Sequence, residues 1–173
     1  MSGTTAGHAG PGLLGIYLND HLAGATAGTG LAQRMAASGH LPAPAGALRE
    51  LAAEIASDRD ALLAFMADLD VPVRSYKVWA ARAGEKAGRL KPNGHLISRS
   101  ALSNLEELEI LGLGVEGKAA GWRTLRVLAG TDGRLDPARL DELIARARRQ
   151  ADVIEELRLK AAARVTGPAP DRE

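Results

Sequence analysis

A histidine at position 21 sits inside "LLGIYLNDHLAG", a stretch whose apolar residues return every three or four positions. An imidazole on such a helix can join carboxylates from neighbouring helices in holding iron, manganese or zinc. Three carboxylates have suitable positions. Asp58 interrupts the apolar seam of "LAAEIASDRDAL", and Glu109 and Glu116 lie two turns apart on the flank of "LEELEILGLGVEGKAA". A mononuclear centre would use His21 with Asp58 and Glu109 or Glu116. The competing expectation is structural and is the stronger one. His21 lies buried between Leu14, Leu18 and Ala25, facing the interior, and bonds to Asp58 or to a carboxylate of the third helix. Polar seam residues of this kind fix register at some cost in stability.

Other chemistry lacks its residues. There is no cysteine, hence no thiolate nucleophile, zinc-thiolate site or disulfide. Neither a G-x-S-x-G elbow nor a phosphate-binding P-loop occurs, and "GLGVEG" falls within a helical pattern rather than after a strand. Its glycines, Gly112, Gly114 and Gly117, suit close helix packing.

The elements that must position these residues are helical, because apolar spacing of three and four dominates and β-type alternation is nearly absent. The spacing predicts helices over about 12–38, 45–69, 100–130 and 136–165. The first seam is Leu14, Leu18, His21, Ala25, Gly28, Ala32 and Met35. The second is Leu48, Leu51, Ile55, Asp58, Leu62, Phe65 and Leu69. The third runs through Leu105, Leu108, Leu111, Val115, Ala119, Trp122 and Leu125, and the fourth through Leu143, Ala147, Gln150, Ile154, Leu157 and Ala161. Gly39 stands in the stop position of the first helix, and Asp136 and Pro137 cap and open the last. About six residues join helices one and two, and about five join three and four, so each pair is an antiparallel hairpin. Some thirty residues (70–99) separate the hairpins and hold a shorter helix over about 75–90, closed by "KPNG".

Two hairpins joined by one long crossover, with "YLNDHLAG", "LAAEIASDRDAL" and "LEELEILGLGVEGKAA", resemble ferritin-like four-helix bundles of alanine- and arginine-rich bacterial proteomes. The resemblance spans residues 12–165 and implies an all-α bundle with flexible tails over 1–11 and 166–173. Di-iron members carry Glu-x-x-His on two helices. Here the residue three after Glu54 is Ser57, and three after Glu142 it is Ala145, so that motif is missing. Hairpin arithmetic also separates His21 from Asp58. With the turn at residue 42, Asp58 stands level with Thr26, an offset from His21 of roughly five residues, about 7 Å.

The crossover is the one feature unlike an ordinary bundle. Arg74, Lys77, Arg82, Lys86, Arg89, Lys91 and Arg99 face a single acid, Glu85, for a local charge of +6, while residues 49–70 carry −4. It docks across the acidic helix faces, or presents an anion or partner surface built from Arg74, Tyr76, Lys77, Trp79, Arg82, Lys86 and Arg89. A net charge of +1 argues against strong nucleic acid binding, and no charge-free stretch is suited to a bilayer. The sequence therefore points to a cytoplasmic, non-catalytic bundle without a cofactor. It acts through self-association, a homodimer first of all, or through protein binding, with the smooth face at Gly24 and Gly28 as an interface. The rival is a ferritin-like metal-binding protein or metalloenzyme centred on His21.

Overall fold

Four helices carry the described residues of the chain in a computed structural model: α1 (Leu13–Ser38), α2 (Ala45–Asp68), α3 (Ala101–Leu128) and α4 (Pro137–Thr166). The structure describes residues 12–39, 41, 45–74 and 101–166, among which there is no strand. The short helix expected over 75–90, both tails, and Tyr76, Lys77, Trp79, Arg82, Lys86 and Arg89 lie outside the described residues. No described helix is long and apolar enough to cross a membrane.

The helix ends follow local chemistry. Gly39, at φ +66°, closes α1 in the left-handed conformation that glycine adopts without a Cβ clash. At the start of α4, Asp136 Oδ1 accepts the backbone N–H groups of Ala138 (2.9 Å) and Arg139 (3.4 Å), and Pro137 takes the first helical position. The end of α2 is less usual. Asp70 adopts φ 55°, with Val71 N–H donating to Met66 O and Asp70 N–H to Ala67 O, which is a Schellman closure with aspartate where glycine is the common choice. Asp70→Gly is therefore expected to stabilise the protein by about 0.5 kcal/mol, relief of left-handed strain outweighing the entropy of a freer unfolded chain. A urea midpoint that stayed the same or fell would contradict this.

Contacts fix the helix directions. Tyr17 meets Thr124 and His21 meets Gly121, so α1 and α3 are antiparallel. Thr26 meets Arg59 across α1 and α2, and Arg126 meets Asp141 while Gly112 meets Ile154 across α3 and α4. Helices α2 and α4 approach chiefly through long side chains, with Arg139 lying 4.9 Å from the Phe65 ring centre. The core they enclose is built of leucine, alanine and methionine around Phe65 and Trp122, whose rings meet edge-on at 6.0 Å.

The expected seams of α2 and α4 are buried throughout, and that of α3 is buried except at its partly covered first residue, Leu105. The α1 seam is rotated. Leu18, Leu22, Thr29, Ala32 and Met35 are buried, whereas His21 and Gly28 are only partly covered.

Candidate functional site

The polar centre of the bundle is Asp58, whose side chain is 0% exposed. Its seam position on α2, between Ile55 and Leu62, leaves it no route to water. Lys118 of α3 reaches it from the opposite helix pair: Nζ donates to Asp58 Oδ2 at 2.5 Å and to Gln150 Oε1 at 2.5 Å. Arg146 of α4 pairs with Asp58 Oδ1 through Nη2. That contact is an ion pair rather than an aligned hydrogen bond, since Asp58 Oδ1 and Arg146 Nε are both buried without a hydrogen-bond partner.

Gln150, also in the seam, joins the charges. Its Nε2 donates to Asp58 Oδ2 (3.1 Å) and to Glu54 Oε2 (3.0 Å), one turn earlier on α2. The amide orientation is set by these neighbours, because the reverse would turn its oxygen onto two carboxylates. Asp58 and Glu54 thus balance Lys118 and Arg146, and the cluster is neutral as a unit. Burial pushes the Lys118 ammonium below its usual range, and the Asp58 charge and hydrogen bond oppose that shift.

A groove of about 570 Å³ lies beside this cluster between α2 and α4, lined by Ser57, Asp60, Arg139, Glu142, Arg146 and Arg149 among others. Arg146 of its lining is paired with Asp58, and no histidine or lysine among the lining residues stands ready to activate the Ser57 hydroxyl as a nucleophile.

His21 is elsewhere, and the expectation of a buried imidazole bonded to Asp58 or to a helix-three glutamate is corrected. It is half-buried at the α1–α3 lip, its ring edge-on to Tyr17 with centroids 4.5 Å apart. A Cβ on Gly121 would stand 3.0 Å from its Cε1 and Nδ1, so the imidazole rests on bare backbone. The physical reason is the rotation of α1, which gives the core position to Leu22 instead. Burial lowers the His21 pKa below its usual 6.5, against a weaker opposing pull from Asp20. Between that lowered value and 6.5 the unfolded chain binds more protons than the folded one, so stability should fall as pH drops below 6.5. His21→Leu should keep the fold and flatten this part of the pH dependence, read by urea titrations across the window. An unchanged slope would contradict the assignment.

The four candidate ligands do not converge. Glu109 is exposed, with its carboxylate 3.9 Å from Arg158, and Glu116 is exposed on α3. Among the described residues no three of histidine, aspartate and glutamate come together to hold a metal ion. The carboxylates that do enter the core, Asp58 and Glu54, are engaged by ammonium, guanidinium and amide groups. The described residues therefore do not fit the metal centre of a ferritin-like protein.

Of the basic connector only Arg74 is described. It is exposed, and its backbone N–H donates to Asn19 Oδ1 at 2.9 Å. Asn19 also donates to Pro72 O (3.2 Å) and Gly15 O (2.7 Å), clipping the chain after α2 onto α1. Spacing alone marked Asp58 and Gln150 as seam residues but left out Lys118, Arg146, Glu54 and Gly121. A signal for Lys118 existed, since it shares a heptad position with Leu111 and Leu125, both buried.

No protein-family model, curated protein or solved structure matches the chain.

Proposed function

We propose that this chain is a non-catalytic four-helix bundle that acts through self-association or protein binding, with a homodimer as the favoured state. The observation that carries this reading is the self-sufficient polar core. Its charged groups and Gln150 engage one another, which holds α2, α3 and α4 in register rather than leaving a base, nucleophile or ligand set open to a substrate. The small-residue positions of α1, exposed at Gly24 and half-buried at Gly28, support the protein-binding arm of this reading. Gly24 and Gly28 on α1 have open space where a Cβ would stand, so a partner backbone can come close there.

The proposal includes a ferritin-like chain path. Helices α2 and α3 are each antiparallel to α1 and so run in the same direction. The chain leaves α2 at one end of the bundle and enters α3 at the other, as a long crossover requires.

Light scattering across protein concentration tests the functional reading. The expected particle has twice the chain mass, and a monomer at about 100 μM, far above the range of functional dimers, would remove self-association. Elemental analysis of the same sample addresses the rival reading, which requires stoichiometric iron, manganese or zinc.

A further inference from the structure

We infer that the outward face of α3 is the self-association surface, and that its occupant is the same face of a second copy, packed antiparallel about Ala120. This inference rests on the self-association reading and names its interface. Leu113 and Val127 are 75% and 80% exposed, among the most exposed large apolar residues of the described chain. They stand seven residues before and after Ala120, itself exposed, so the three share one stripe. A two-fold axis through Ala120 sets each Leu113 against the partner's Val127. The small side chain at the axis lets the helices approach closely, and Gly117 beside it has open space where a Cβ would be.

The charges have the same self-complementary spacing. Glu116 and Arg123 flank the stripe, both exposed, and neither makes an ion pair among the described residues. They are roughly 10 Å apart along their own helix. Because Glu116 lies four residues before Ala120 and Arg123 three after it, the two-fold brings Glu116 within one residue of the partner's Arg123, twice per dimer. A parallel pairing of two α3 helices would instead set glutamate against glutamate. Charge complementarity thus selects both the occupant and its direction.

The absence of cysteine makes the test direct. Ala120→Cys should oxidise rapidly to a covalent dimer, whereas Ala53→Cys, on the exposed surface of α2, should not. Glu116→Arg and Arg123→Glu should each weaken dimerisation about tenfold by sedimentation, and the double exchange should restore it, while far-UV circular dichroism reports an unchanged fold. A wild-type dimer that ignores both reversals and cross-links no faster at position 120 than at 53 would overturn this interface and leave self-association to another face. A monomeric wild type would overturn both.

Discussion

Asp58→Ala is expected to lower stability by about 3–5 kcal/mol, the usual cost of removing one partner from a buried ion pair. Among the described residues Asp58 is the only carboxylate that is completely shielded, and Lys118, Gln150 and Arg146 all point to it. Its loss strands a lysine ammonium whose side chain is only 13% exposed. Glu54 compensates only in part, because its hydrogen bond is to Gln150 and it acts on the ammonium through charge alone. Removing Asp58 together with the two side chains hydrogen-bonded to it is a different matter, since the remaining Arg146 and Glu54 are partly exposed. Asp58→Leu combined with Lys118→Met and Gln150→Leu replaces charge with apolar volume, and such replacements are often neutral or stabilising. The triple variant should therefore recover most of what Asp58→Ala loses, as measured by urea denaturation followed by circular dichroism. An Asp58→Ala protein within 1 kcal/mol of wild type would mean the cluster is solvated in solution.

Phe65→Ala is the second large effect, also about 3–5 kcal/mol. Phe65 is 1% exposed and is the single phenylalanine of the chain. Its ring meets Trp122 edge-on and carries the Arg139 guanidinium on its face, so truncation loses packing, an aromatic contact and a cation–π contact together. Because α2 and α4 approach mainly through side chains there, the helices have little backbone contact from which to close the cavity. Phe65→Leu should cost clearly less. Equal losses for the two variants would show that ring contacts, not volume, carry the effect.

Three of the four seams were legible in the sequence because apolar residues follow the helical spacing without a rival register along the buried faces of α2, α3 and α4, although α3 also carries exposed Leu113 and Val127 on its outward side. In α1 they do not. Leu14–Leu18–His21–Ala25–Gly28 and Leu18–Leu22–Ala25–Thr29–Ala32 both satisfy the helical spacing, and alanine, glycine and threonine are too alike in size to separate them. The structure takes the second register, which moves His21 to the lip and removes the reason to pair it with Asp58. The polar core was half legible for a related reason. Spacing places Asp58 and Gln150 inside, but their cations come from other helices, 60 residues away for Lys118. Lysine at a seam position reads locally as a surface residue, and only the burial of an opposing carboxylate gives it a reason to turn inward. Capping was legible at Gly39, Asp136 and Pro137, which act through chemistry confined to one helical turn, but not at Asp70, where aspartate takes the place glycine usually fills.

The central claim is that the charged core is a structural device and not a chemical centre. The most direct measurement is the solution mass of the triple variant Asp58→Leu, Lys118→Met, Gln150→Leu by light scattering, with metal content determined on the same sample. The account predicts a helical protein with the same oligomeric state and the same metal content as wild type. A folded variant that has lost a stoichiometric metal carried by wild type, or has lost its association, would contradict it.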